Sequence, residues 1–391
     1  MTLRITRGEG YRIAAHSAGR DLQIHNLTLI IDRPLATCGD LSPPLAALAA
    51  ALTERDLRPL QTRVHGAADP QLAAQVVAMW RATRTEQQAD PPLSYVGNQP
   101  CVGGLLAGIQ ILAAAPRARS PLTCQTVVDG EHPCGCLLTV GDLRIACLTA
   151  VTGVDEQPDA LPEPRAQMDR MFARAVRRID ELGLAYPHVA RTWIYLRDLL
   201  DDYDALNASR TAAYRDAGLI PADIPPSLPA STGIQGHHAT GSPSCFLDLI
   251  AVARRGSSAP LHRPLRTAHQ CEAAMYGSFF SRGVTVDLGG LRLLFVSGTA
   301  SINAAGETVH RGAPAAQILE TYAAVETVLA AESVRFAQVV SSVAFCKDPA
   351  AYRAFQDLRS SSEIPDLPAI AVQADICRDD LLFELEPTAV V

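Results

Sequence analysis

The chain has 391 residues, 48% of them apolar, and a formal charge of −7. This is enough apolar material for a large core or for several domains. Mild acidity, scattered Lys and Arg, and an aromatic content of 5% exclude a nucleic-acid surface. No apolar run reaches the roughly 20 residues of a membrane span, and the first residues lack the apolar core of a secretory signal, so a cytoplasmic protein without a membrane partner is expected.

In chain order, "LAALAAALTERDL" reads as a helix, "PLQTRVHG" as a strand, "PQLAAQVVAMWRAT" as a helix and "GGLLAGIQILAAA" as a closing strand. "EHPCGC" brings His132, Cys134 and Cys136 together, but no second Cys/His pair follows at a ligand spacing, so these are structural thiols and no metal is expected. The hairpin-like "CLLTVGDLRIACLTAV" then leads into the helix "AQMDRMFARAVRRIDELGL", the strand "VARTWIYLRD", the helix "YDALNASRTAAYRDAG", a Pro-containing loop "PPSLPASTGIQG" and the strand "SCFLDLIAVA". "GHH" at Gly236–His238 reads as a solvated turn.

The same order returns after a second hairpin, "GVTVDLGGLRLLFVSGTA", and ends on "LLFELEPTAVV". Even single segments answer one another: "SLPAST" matches "DLPAIA", and "FLDLIAVA" matches "FELEPTAV". Self-similarity at roughly 120 to 130 residues is too long for a solenoid and predicts tandem domains, here residues 1–134, 135–256 and 257–391, the first being degenerate. Strands alternating with helices predict α+β layers with each sheet covered on one face. No G-x-G-x-x-G or G-x-S-x-G pattern occurs, so neither a dinucleotide cofactor nor a nucleophile elbow is expected.

The closing strand raises the question of chemistry. Period-2 geometry puts Glu384 and Glu386 on one face, opposite Phe383 and Leu385. Burial and mutual repulsion raise the pKa of at least one of the two, which makes a general acid that keeps its proton near neutral pH. Glu384 is the expected acid, and Glu386 is expected to sit solvated at the sheet rim.

The element order, the "VSGTA" hairpin end and the "LPAIAVQAD…LLFELE" finish resemble the RidA/YjgF family. The resemblance implies an α+β fold of tandem RidA/YjgF-like (chorismate mutase-like) units that form a single-chain pseudo-trimer, monomeric in solution. It also places Glu384 in a site between units. Phe246 stands at the matching point of the second unit, and the first unit has no carboxylate there, so one site of three carries an acid. The arginine that such deaminases use to bind a substrate carboxylate is missing: Ala369 and Ser231 stand at that position, and "PPLSYVG" offers none.

A closer resemblance is to the chorismatase family, carried by "ARTWIYLRDLLDDYDALN", "YGSFFSRGV", "LFVSGTASI" and "LPAIAVQADICRDDLLFELE" in that order. It implies an enzyme that cleaves chorismate, a small-molecule dianion, to pyruvate and 3-hydroxybenzoate without a cofactor. Glu384 would protonate the enolpyruvyl methylene, and Cys377 matches the 3-hydroxybenzoate branch. Tyr276 with Arg263 or Arg266 would take the substrate carboxylate, and Gly298 and Ala300 would form the pocket floor. Arg282 is open between a role at the site and a surface or structural ion pair. The alternatives are hydrolysis of chorismate to pyruvate and 3,4-dihydroxycyclohexa-1,5-dienoate, an imine deaminase, and a non-catalytic module that binds a carboxylic acid.

Overall fold

The computed structural model describes residues 1–19, 22–83, 92–115, 122–130, 132–155, 160–220, 227–267, 269–270, 273, 277–288 and 290–391. The N-terminal part forms β1 (Thr2–Gly8), β2 (Tyr11–Ala18), β3 (Gln23–Ile31), α1 (Cys38–Thr53), β4 (Arg58–Gly66), α2 (Pro70–Ala82), β5 (Leu93–Gly97), β6 (Gln99–Pro100) and β7 (Leu106–Ala115). The middle forms β8 (Leu122–Asp129), β9 (His132–Val140), β10 (Leu143–Thr152), α3 (Pro164–Glu181), β11 (Val189–Leu196), α4 (Leu199–Asp216), β12 (Ala230–Gln235), β13 (His237–His238) and β14 (Cys245–Arg254). The last part forms β15 (His262–Leu265), β16 (Gly283–Asp287), β17 (Arg292–Val296), β18 (Thr299–Ala300), α5 (Pro314–Ala330), β19 (Val339–Cys346), α6 (Pro349–Ser360), β20 (Ala369–Gln373) and β21 (Phe383–Val390).

Local chemistry explains where these elements start. Asp69 and Asp348 cap α2 and α6 by accepting from backbone N–H groups of the first turn, and α2, α3, α5 and α6 each open on a proline. Proline there has a preset φ and loses no helical hydrogen bond. In α3, Met168, Met171, Phe172, Ala175 and Ile179 recur at helical spacing and bury one stripe against the sheet.

The chain builds three sheets, in the orders β1-β2-β3-β7-β4-β5-β13, β12-β11-β14-β10-β9-β8 and β15-β16-β17-β21-β19-β20-β6. In each, the closing strand (β7, β14 or β21) lies inside the sheet and runs antiparallel to β4, β11 or β19. The second sheet takes in β8, upstream of the expected boundary at 135. The helices cover the outer faces over separate cores. The inner faces of all three sheets share one core that includes Ile24, Leu60, Ile145, Ile250, Val286 and Phe295.

Three expectations are corrected by the sheets. The stretches read as Pro-containing loops end in β12 and β20, which run parallel to β11 and β19; their prolines stand just before the strands, where no ladder donor is needed. "GHH" is no free turn either, because His237 and His238 pair with Gly97 and Val96 of β5. That pairing carries the second unit onto the first. β6 pairs with β20 and carries the first onto the third, and Ala230 bridges Ser281 while Gln235 exchanges bonds with Asp375 to carry the third onto the second. The units thus close a ring.

The ladders align the closing strands residue by residue. Glu384 faces Phe345, Phe246 faces Tyr195 and Gly108 faces His65, so the three occupy equivalent points of three inter-unit clefts. Phe246 fills its own cleft, stacked on Tyr195 at 4.7 Å and edge-on to His238 at 5.3 Å. Gly108 leaves room for Ile370 of the third unit, whose side chain stands where a Cβ would be. Ile370 is fully buried; Ile370→Ala should therefore lower the unfolding free energy by about 2–5 kcal/mol, read from a urea titration with unchanged slope.

Candidate active site between the second and third units

The cleft that holds Glu384 is open. A pocket is lined by Tyr203, Arg210, Ser231, Gly233, Phe280, Arg282, Gly298, Ile302, Cys377 and Glu384. The second unit supplies Tyr203 and Arg210 from α4 and Ser231 and Gly233 from β12. The third supplies Glu384 from β21, Gly298 from the turn between β17 and β18, and Arg282 just before β16.

Strand period places the acid. Phe383 and Leu385 turn into the core beneath α5 and α6, which sends Glu384 and Glu386 to the inter-unit side. Glu384 is 4% exposed, and its Oε1 finds no hydrogen-bond partner among the described residues. A Cβ at Gly298 would collide with this carboxyl group, so glycine there is a condition for the acid's position. Burial, and after it the charge of Glu386, push the Glu384 pKa up to about 8 against the opposing effect of Arg191 and Arg282. The side chain is therefore a neutral acid at pH 7.

Glu386 is not solvated at a rim, as its sequence position suggested. It is 5% exposed and lies among the units, where Arg191 Nη2 donates to its Oε2 at 2.9 Å, Trp193 Nε1 donates to its Oε1 at 3.2 Å, and Arg63 Nη1 of the first unit stands 3.6 Å away. The partners come from β4 and β11, so the sequence around Glu386 gives no sign of them. Arg191 Nη2 also donates to Thr232 Oγ1 at 2.7 Å, and the same oxygen accepts from the Gly298 N–H at 3.0 Å, tying the floor of the cavity to this ion pair.

Two arginines face the cavity. Arg210 and Arg282 are 1% and 2% exposed, and their guanidinium carbons stand 5.5 and 5.3 Å from the centroid of the Phe280 ring. Arg210 Nη2 donates to Asn207 Oδ1 at 2.5 Å, which also accepts from Ser278 Oγ at 3.0 Å, and Ser278 Oγ meets Tyr203 Oη at 3.3 Å. This relay fixes α4 to the segment before β16. Cys377 is half-buried, and burial together with the nearby Glu384 pushes its thiol up to about 12; it is a neutral wall rather than a nucleophile.

Of the residues expected from sequence, Glu384, Cys377 and Gly298 meet in the cavity, and Arg282 lines it. Arg263 and Arg266 are exposed, and Arg263 pairs with Glu332 on the surface, so neither is brought to the cavity. Ala300 lies opposite Glu384 in the ladder, buried, without lining the cavity. Tyr276 falls outside the described residues. Sequence reasoning missed Arg210, although it shares a helix face with the buried Leu206 and Tyr214, and an arginine on an apolar stripe is itself a signal.

A raised carboxyl pKa has a definite stability signature. Glu384 takes up its proton near pH 8 when folded and near 4.5 in its ordinary state. Between these values the folded chain holds the extra proton, so stability falls as pH rises through that window and levels off above it. Glu384→Gln lacks this dependence. Its stability relative to the parent should grow from pH 5 to pH 8 in denaturant titrations, and a constant difference would show that Glu384 titrates normally.

No family model and no curated protein matches the chain. Among solved structures, a chorismatase is similar over 85% of this chain and 93% of its own, with 17% identity and a TM-score of 0.59. Yeast Mmf1 is similar over 33% of this chain and 98% of its own, with 17% identity and a TM-score of 0.28. The YjgF gene product of E. coli is similar over 33% and 98%, with 21% identity and a TM-score of 0.26. The chain has an α+β fold shared, over most of its length, with that solved chorismatase.

Proposed function

We propose that the chain is a chorismatase that releases pyruvate from chorismate, with Glu384 as the proton donor. The observation that carries this reading is a buried carboxyl group, raised to about 8, in a cavity that also holds two buried arginines. Chorismate bears one carboxylate on its ring and one on the enolpyruvyl ether. Two guanidinium groups match that pair of charges, and their planar donors suit carboxylates. Arg210 and Arg282 take this role in place of Arg263 and Arg266.

Bound in this way, the substrate presents its enolpyruvyl methylene carbon to Glu384. Proton transfer from the carboxylic acid to that carbon leaves an oxocarbenium-like centre at the ether carbon and a carboxylate on Glu384, and the negative charges nearby stabilise the centre. Water attack and collapse give pyruvate and a dihydroxycyclohexadiene acid, consuming one water. When a ring hydroxyl takes part instead, the ring aromatises and the products are pyruvate and 3-hydroxybenzoate, with no net water. We assign the second course, because the neutral Cys377 beside Glu384 gives the pocket a wall that offers water little hold. The single chain supplies all three units of the ring, so we also assign a monomer, and as an enzyme with unpaired thiols at all nine described cysteines it suits the reducing cytoplasm.

The test is incubation with chorismate alone, with pyruvate assayed and the other product separated. Pyruvate with an aromatic acid is expected, and a non-aromatic diol would move the chain to the hydrolytic course. Glu384→Gln should lower turnover about 100-fold or more, since an amide has no proton to give to carbon. Turnover in the parent should fall as pH rises through about 8, and Arg210→Met should raise KM more than it lowers kcat. Light scattering should give 41.7 kDa; three times that mass would refute the monomer.

A further inference from the structure

The interior between the three units contains charged groups that the reaction above does not use. Glu386 is enclosed by Arg191 at 2.9 Å, Arg63 at 3.6 Å and Trp193 at 3.2 Å. The Arg63 guanidinium lies flat over the Trp193 ring, 3.8 Å from its centroid, and that of Arg191 stands 4.6 Å from it. All four side chains are at least nine-tenths buried. Two cations from different units pair with this carboxylate, and two positions along the strand its neighbour Glu384 has an Oε1 without a hydrogen-bond partner among the described residues.

We propose that Glu386, paired with Arg191 of the second unit, is a positioning residue that keeps Glu384 in its proton-donating form, and that Arg63 of the first unit, which shares Glu386, tempers this effect. The clamp makes the first unit, which has no carboxylate on its closing strand, part of the working site. This inference rests on Glu384 being the proton donor, as proposed above.

The physical basis is the sign of the charges. A fixed negative charge two residues along the same strand face opposes ionisation of Glu384, and low-dielectric surroundings strengthen that effect. The other groups around Glu384 are Arg191 and Arg282, which favour ionisation, the neutral Cys377, and Arg210 and Tyr203 of α4, which line the same pocket. Those facing the clamp from other strands are Tyr195 and Asp248, which lies beside Arg63 and is itself bonded to Ser94 and the Ala150 N–H. Without the ionised Glu386, burial alone would hold the Glu384 proton against Arg191 and Arg282, and it would be released at a lower pH. Arg63 acts one step further out. It shares Glu386 with Arg191 and contributes positive charge, so its removal leaves the Arg191 pair in place and makes the site less positive.

The two variants therefore move the pH dependence in opposite directions. In Glu386→Gln, the pH at which chorismate turnover falls should drop by about one unit or more. In Arg63→Met it should rise, with the protein folded by circular dichroism. A lowered kcat with an unmoved pH profile in both variants is what a merely structural role would give, and it overturns the proposal. If Glu386→Gln does not fold, the Arg63→Met profile alone decides. A readout without substrate separates this inference from the function. In each variant background, the stability difference made by Glu384→Gln is followed against pH, and its onset should move as the turnover limb does. Absence of turnover in the parent with these shifts present would refute the chorismate reading and leave the clamp standing. An onset unmoved in both backgrounds would refute the clamp.

Discussion

Two carboxyl groups share one strand face in a place from which water is largely excluded, and the site depends on their not being alike. Desolvating one carboxylate is costly, and two side by side cannot both stay charged. The partners decide which one ionises. Glu386 receives two arginines and an indole N–H, whereas Glu384 has Gly298 against its carboxyl group and an Oε1 without a donor among the described residues. One becomes a fixed charge and the other a held proton. The turn that supplies Gly298 is tied through Thr232 to Arg191, so the fixed charge and the floor beneath the acid share one bonded path.

Closing the ring produces three equivalent clefts, and side-chain volume alone differentiates them. Phe246 closes one with an aromatic stack, and Ile370 closes another by entering the space above Gly108. In the third, Gly298 clears space for Glu384 while arginines from the walls supply charge. The same backbone ladder thus yields two packed interfaces and one cavity.

Much of this was legible in the sequence because it is local. The helices follow from their caps, opening prolines and apolar stripes, and the closing strands from their length and apolar runs. The matches between "SLPAST" and "DLPAIA" and between "FLDLIAVA" and "FELEPTAV" locate the repeat, and the period of two puts Glu384 and Glu386 on one face. What was not legible depends on contacts between units. β12 and β20 are 6 and 5 residues long and are strands by virtue of parallel pairing with β11 and β19, which no local pattern announces. Glu386 looked like a rim residue because Arg63 and Arg191 are 323 and 195 positions away along the chain. The choice between Arg263 and Arg266 failed because both lie near the exposed edge strand β15, while the arginines that reach the cavity are Arg282 and, on the buried face of α4, Arg210.

A single chain suits this arrangement for a reason of charge. In a ring of three identical subunits every interior position repeats three times. An arginine at the place of Arg63, another at that of Arg191 and a glutamate at that of Glu386 would bury twice as many cations as anions. Here the register gives each position a different residue in each unit: Arg63 is matched by Trp193 and Val343, Arg191 by Gln61 and Ser341, and Glu386 by Asp248 and Gln110. Two arginines then stand with two carboxyl groups, Glu386 and Asp248, and tryptophan, glutamine and valine fill the remaining volume. Buried ion pairs persist only when charge and hydrogen bonding are nearly matched, and three different sequences at one interior can achieve that match where three copies of one cannot.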